Sequence, residues 1–230
     1  MASTARETHG LPGLFICFEG MDGSGKSTQA RELGHAIAAK GDEVVLTRDP
    51  GGAPSAGEIR TLLLEGAVDR WSPRTEVLLF TAARVELIER TVLPALARGA
   101  IVICDRFLDS TLAYQGAGHG NDVADILELH RRMCDDIRPD LTVLLDGPVA
   151  DLLARSKSRL SAEASGEDRF ENMASDFHQR LAAAYRDAAA ADPNRYLVAD
   201  ALQTPEAIAH ELAERVGAWI SRARGQTAAA

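Results

Sequence analysis

Long apolar runs are missing from this chain, and with them any segment able to cross a bilayer as a single helix. Residues 1–13 hold no basic segment followed by an apolar one, so no secretory signal is read there; a disordered leader is expected. Cysteine is scarce and odd in number, at Cys17, Cys104 and Cys134. Cys17 and Cys104 fall inside apolar runs. They read as free, buried thiols in a reducing compartment, which points to the cytoplasm. Positive charge is in deficit, with a formal net charge of −9. A binder of polymeric nucleic acid shows the opposite balance. A small anion can still be held by a few focused Arg and Lys residues. Repeats and low-complexity linkers are absent too. A chain of 230 residues is therefore expected to form one domain over residues 14–221, with a flexible tail over 222–230.

What is present alternates. Residues 14–18, 43–47, 101–105, 141–146 and 195–199 read as strands, apolar on both faces like those of a covered parallel sheet. The segments between them have helical period. Residues 28–37 follow the first strand. Residues 75–96 form the longest segment, which Pro94 should end or kink. Residues 205–221 form the last, with Thr204 as N-cap. The alternation predicts an α/β fold: a central parallel five-stranded sheet flanked by helices on both faces. Ligands then belong at the carboxyl ends of the strands.

Gly20-Met21-Asp22-Gly23-Ser24-Gly25-Lys26-Ser27 meets the phosphate-loop pattern G-x-x-x-x-G-K-[ST] at each fixed position, between the first strand and the first helix. Its glycines let successive N–H groups turn inward around a phosphate, and the helix N-terminus adds partial positive charge. Gly20, Asp22, Gly23, Ser24, Gly25, Lys26, Ser27 and Thr28 are the candidate ATP-binding residues. Lys26 can reach the β- and γ-phosphates, and the Ser27 hydroxyl can reach Mg²⁺. The second strand runs into Thr47-Arg48-Asp49-Pro50-Gly51-Gly52, and the third ends at Asp105-Arg106. Asp105 is a candidate Mg²⁺ ligand, directly or through water. The alternative is a strand-end carboxylate that caps a turn.

Taken together, these separated blocks resemble the thymidylate kinase family over about residues 14–220. GMDGSGKST is the first. TRDPGG at 47–52 is similar to the family's TREPGG, LLFTAARVE at 78–86 to its Phe-x-Ala-x-Arg helix, and DRFLDSTLAYQG at 105–116 to its DR-x-x-x-S-x-x-A-Y-Q signature. DRFE at 168–171 is similar to the end of its lid. The resemblance implies a P-loop NTPase fold, transfer from MgATP to dTMP giving dTDP, and a homodimer. It also implies roles. Arg48 and Arg106 would meet the acceptor phosphate, Phe80 would stack on the pyrimidine and Arg84 would reach a base carbonyl. Gln115 would read the base, with Ser110 in the same segment. Tyr114 would pack against the sugar, and Asp22 would lie near the acceptor's sugar and phosphate. Each has a plainer alternative: a surface ion pair of Arg48 with Asp49 or Glu58, core packing for Phe80 and Tyr114, a solvated helix face for Arg84, a turn residue for Asp22. Asp49 stands where the family has Glu, so its reach is shorter.

Residues 155–169 are basic, small and polar and read as a mobile lid rather than a helix or strand. The phosphate loop carries no Arg, so Arg155, Arg159 and Arg169 are candidates to meet the transferring phosphoryl group, as an arginine finger does. Their alternative is a solvated charged loop. The acceptor phosphate has a second pKa of about 6 and needs no general base near neutrality. Catalysis is then alignment plus cations: Mg²⁺, Lys26, Arg106 and the lid Arg residues. Two other functions compete: a small P-loop kinase with a different nucleoside or nucleotide acceptor, and a nucleotide-binding switch that transfers nothing.

Overall fold

The computed structural model describes residues 9–67, 69–162, 169–170 and 173–227, apart from the side chains of 159–162 and 226–227. The strands are β1 (Leu14–Glu19), β2 (Val44–Arg48), β3 (Ile101–Asp105), β4 (Leu141–Asp146) and β5 (Tyr196–Asp200). They form one five-stranded sheet in the order β2-β3-β1-β4-β5, with every pairing parallel. The helices are α1 (Lys26–Ala38), α2 (Ala56–Leu64), α3 (Pro73–Leu87), α4 (Leu93–Ala97), α5 (Leu108–Thr111), α6 (Val123–Met133), α7 (Val149–Ala162), α8 (Ser175–Ala191) and α9 (Pro205–Thr227).

Side-chain alternation along β1 explains why helices cover both faces. Leu14, Ile16 and Phe18 pack with Leu33 and Ile37 of α1 and with Leu212 and Val216 of α9. Phe15 and Cys17 point the other way, into a core shared with Leu87, Leu96 and Ile126. Burying each such side chain contributes about 1.5–3 kcal/mol. The register then levels the strand ends. Asp105 is the partner of Phe18 on one side and of Arg48 on the other. Chemistry carried just beyond β1, β2 and β3 is thereby gathered on one rim.

Three expectations are corrected. The leader is partly built into the fold: His9 hydrogen-bonds to buried Asp140 at 2.9 Å, and Gly13 N–H donates to the Leu96 carbonyl. Residues 1–8 lie outside the described residues. At the other end, α9 runs on to Thr227, so residues 222–227 of the expected tail are helical. Pro94, expected to end or kink its helix, does not end it; the distortion comes just before it. The backbone widens to a π-turn over Ile88–Val92, where Leu93 N–H reaches back to the Ile88 carbonyl, and continues into α4. Finally, residues 155–162 of the expected lid belong to α7, because Leu152 and Ser156 face inward one helical turn apart. Residues 163–168, where the rest of that stretch falls, lie outside the described residues.

Candidate active site

The phosphate loop bridges β1 and α1. Gly20 and Gly23 have φ of 134° and 82°, and a Cβ on Gly23 would sit 2.0 Å from the Leu152 carbonyl oxygen. Both glycines are therefore required by backbone conformation and by the close approach of neighbouring chain. Among the described residues no side chain caps α1, so its first N–H groups stay available at the cleft, which Gly25, Lys26, Ser27 and Thr28 help to line. Ser24 is buried within the loop, and neither it nor Gly20 is among the residues lining the cleft. The Lys26 ammonium donates to the Met21 carbonyl at 2.8 Å and lies 3.9 Å from Asp22. Burial, and then the Arg106 charge, pull the Lys26 ammonium down to about 8.

Ser27 donates its hydroxyl hydrogen bond to Asp105 Oδ2, across from the end of β3. The other carboxylate oxygen, Asp105 Oδ1, is buried and has no hydrogen-bond partner among the described residues. A hard cation satisfies such an orphaned oxygen, so the pair fits Mg²⁺. Among the described residues no cluster of three or more His, Cys, Asp or Glu is arranged for a metal.

Arg106 is the hub of the cleft. Its backbone has φ of 68°, a region costly for a residue with a Cβ. The guanidinium binds Asp22 of the phosphate loop, the Gly20 carbonyl at 3.0 Å, Ser110 Oγ at 2.9 Å, and the hydroxyls of Tyr114 and Tyr185 at 3.2 Å each. Tyr114 also donates to Asp22 at 2.8 Å. Burial disfavours ionised Asp22, but Arg106 and then Lys26 outweigh it and hold the carboxyl below the usual carboxylate range. Beneath this hub lies Glu19, fully buried at the end of β1. It accepts from the backbone N–H groups of Phe107 and Ser110 (2.8 and 3.2 Å), from Ser110 Oγ (2.6 Å) and from Tyr185 OH (3.2 Å). Burial, then the nearby Asp109 charge, push Glu19 up to about 7.

On the β2 side Arg48 is exposed on the cleft wall, with no ion pair to Asp49 or Glu58 among the described residues. Asp49 is buried and accepts from Arg84 Nε at 2.6 Å. Arg84 Nη2 reaches Thr111 Oγ1 at 2.6 Å and the Phe107 carbonyl at 3.4 Å. Nη1 has no protein partner among the described residues, and Arg84 lines the cleft. The solvated-face alternative for Arg84 fails, since the residue is 1% exposed. Phe80 lies one turn earlier on α3, half-buried, with its ring 6.3 Å from that of Phe170. A second π-turn, Leu112–Gly118, presents Tyr114 and Gln115 to the same cleft. π-turns of this kind recur at functional sites.

The basic residues of the expected lid divide. Arg155 lines the cleft and donates to the Ala201 and Leu202 carbonyls at 2.5 and 3.5 Å. The Arg159 side chain lies outside the described residues. Arg169 does not stand free to meet a phosphoryl group: it is 2% exposed and bonded to Glu76 and to the Leu63 and Ala67 carbonyls. Here it is an anchor at the wall of the cleft. In all, the cleft encloses about 540 Å³ and brings together Asp22, Gly23, Gly25, Lys26, Ser27 and Thr28 at the phosphate loop with Arg48, Phe80, Arg84, Asp105, Arg106, Ser110, Tyr114, Gln115 and Arg155. Sequence reasoning missed Glu19, Glu76 and Tyr185. Glu19 carried a usable signal, an acid ending an apolar strand, the same signal that marked Asp105.

A parallel sheet whose first strand feeds a phosphate loop, facing a second set of Arg and aromatic side chains across one cleft, defines a P-loop phosphotransferase with an acceptor pocket. The family comparison agrees. The profile of the thymidylate kinase family matches residues 18–212. The chain is 45% identical over 214 residues to the thymidylate kinase of Cereibacter sphaeroides, covering 93% of this chain and 99% of that one. It is 51% identical over 196 residues to that of Dinoroseobacter shibae, covering 85% and 92%. The crystal structure of thymidylate kinase from Ehrlichia chaffeensis superposes with a TM-score of 0.70 at 31% identity, over 89% of this chain and 98% of that one. The chain belongs to the thymidylate kinase family and is a nucleoside monophosphate kinase.

Proposed function

We propose that this protein transfers the γ-phosphoryl group of ATP to the phosphate of dTMP, with Mg²⁺. The observation that carries the reading is Arg106, which contacts the phosphate loop through Asp22 and Gly20 and the acceptor side through Tyr114. One guanidinium there can touch both phosphates. Lys26 and the N–H groups of α1 hold the donor; Arg48 and Arg106 hold the acceptor phosphate. Ser27 and Asp105 would hold Mg²⁺, which supplies charge neutralisation on the donor phosphate oxygens. The acceptor oxygen is already anionic near neutrality, so no side chain has to remove a proton. These residues lower the repulsion between two polyanions and align them. Asp22, kept ionised by Arg106, holds that guanidinium in place and takes no proton.

Phe80 offers a ring face to the pyrimidine and Arg84 Nη1 a donor to a base carbonyl. We assign the sugar contact to Tyr114, which a ribose 2′-OH would crowd; its 7% exposure within the cleft wall supports this. One methyl separates thymine from uracil and is worth about 1–3 kcal/mol in an apolar pocket, so preference over dUMP is moderate. We place the enzyme in the cytoplasm, which suits three free buried cysteines and the lack, among the described residues, of a helix long and apolar enough to cross a membrane. We also propose a homodimer, supported by exposed Leu78 on α3 and Val123 and Met133 on α6; sedimentation at micromolar concentration tests it.

A panel of dTMP, dUMP, dCMP, dAMP and thymidine with MgATP tests the function. The expected result is the highest kcat/KM for dTMP. A better acceptor in the panel, or ADP release that ignores the acceptor, overturns the reading.

A further inference from the structure

Glu76 lies behind the cleft wall rather than in it. It is 1% exposed, on α3, one helical turn before Phe80 and two before Arg84. Its Oε1 binds the guanidinium of Arg169, and its Oε2 accepts from Gln115 Nε2 at 3.2 Å, with His119 Nε2 3.4 Å away. Gln115 does line the cleft.

The chemistry of that contact fixes an orientation. A side-chain amide has one donating and one accepting end, whereas a carboxylate paired with a guanidinium only accepts. The NH₂ end of Gln115 must therefore face Glu76. The carbonyl oxygen is left for the cleft, and it has no protein partner among the described residues. An acceptor there matches a base whose edge carries an N–H between two carbonyls, the imide edge of thymine or uracil. Arg84 Nη1 supplies the donor that a flanking carbonyl requires. Cytosine presents the reverse: its ring nitrogen accepts and its exocyclic amine donates. Against it, acceptor would face acceptor and donor would face donor. Sites that hydrogen-bond a substrate group reject analogues lacking it far more strongly than apolar pockets do, because buried polar groups are left unsatisfied.

We infer that Glu76 is a specificity-determining positioning residue: through Gln115 it makes the acceptor pocket select imide bases and exclude cytosine. The inference rests on the reading that Gln115 meets the base. Arg169 is the second partner of the same carboxylate, and it ties α3 to the chain beyond α7.

Glu76→Gln tests it in the full chain. The introduced amide can turn its carbonyl to Arg169 and its NH₂ to Gln115, which then rotates and presents its own NH₂ to the cleft. The ratio of kcat/KM for dTMP to that for dCMP is expected to fall at least tenfold, mainly through KM for dTMP. The ratio is measured on one preparation, so a smaller folded fraction cancels. An unchanged ratio in Glu76→Gln overturns the inference.

Wild-type protein supplies a readout if Glu76→Gln does not fold. The Gln115 side-chain NH₂ resonances, assigned by their loss in Gln115→Leu, should show NOEs to the Glu76 γ protons; their absence overturns the inference. A third arm isolates the underlying reading. N3-methyl-dTMP should bind wild type at least tenfold more weakly than dTMP. Equal binding shows that Gln115 does not meet the imide, and the inference fails at that earlier step.

Discussion

Replacing Arg84 with Ala separates a structural from a binding contribution. Arg84 is 1% exposed and Asp49 3%, and they meet at 2.6 Å. Burial pushes the Asp49 carboxyl above its usual range, with Arg84 opposing. Removing the guanidinium leaves a buried carboxylate whose Oδ1 already lacks a hydrogen-bond partner among the described residues. Breaking one side of a buried pair costs about 3–5 kcal/mol. For a chain of 230 residues, at roughly 2–4 °C per kcal/mol, Tm should fall by about 6–20 °C. Arg84→Ala with Asp49→Asn removes the stranded charge and should regain at least about 1 kcal/mol of that loss. Ligand affinity should not recover. Losing one hydrogen bond from a charged donor, about 1.5–3 kcal/mol, weakens dTMP about 10–150-fold in both variants. A non-hydrolysable ATP analogue should change by less than about threefold, within the error of non-additive effects. Thermal unfolding and titration calorimetry read the two quantities separately. The reasoning is refuted if the double variant is no more stable than the single one, or if both ligands weaken equally.

Further expectations concern single groups. Glu19 moves from 4.5 to about 7 on folding, so the native state holds a proton that the unfolded state has lost. Its stabilisation is complete below about pH 4.5 and lost as pH rises to about 7, a change of about 3 kcal/mol. Glu19→Gln should flatten that part of the pH dependence of urea midpoints, and an unchanged slope would exclude Glu19 as its source. Lys26→Ala should lower kcat about 10²–10⁴-fold while dTMP affinity stays near wild type; steady-state kinetics with normal turnover would remove Lys26 from the mechanism. Gly23→Ala puts a methyl 2.0 Å from the Leu152 carbonyl and should weaken ATP binding by displacing the loop from α7. Calorimetry showing wild-type ATP affinity would mean that the loop tolerates the shift.

The strands and the phosphate loop were legible because their signals are local: apolar runs of five or six residues, and one contiguous motif. Asp105, Arg106 and Arg48 were legible because a parallel sheet delivers ligands to its carboxyl rim. What sequence hid is long-range. His9 meets Asp140 across 131 positions, and Arg106 meets Tyr185 across 79. No periodicity encodes either contact. The helical start of the expected lid was hidden by its Ser, Lys and Arg content, although Leu152 and Ser156 were already spaced for a buried stripe. The π-turns add a residue to the helical repeat and leave no pattern of their own. Glu76 shared the face of Phe80 and Arg84 at spacings of four and eight; a carboxylate inside an apolar stripe is the mark that would have exposed it.

A crystal structure with dTMP and a non-hydrolysable ATP analogue bound together measures the central claim directly. The donor γ-phosphate should rest on Lys26 and the N–H groups of α1, and the acceptor phosphate within about 3.2 Å of Arg106. The pyrimidine should lie between Phe80 and Gln115. A dTMP phosphate that does not touch Arg106, or a base outside the Phe80–Gln115 wall, would contradict the account.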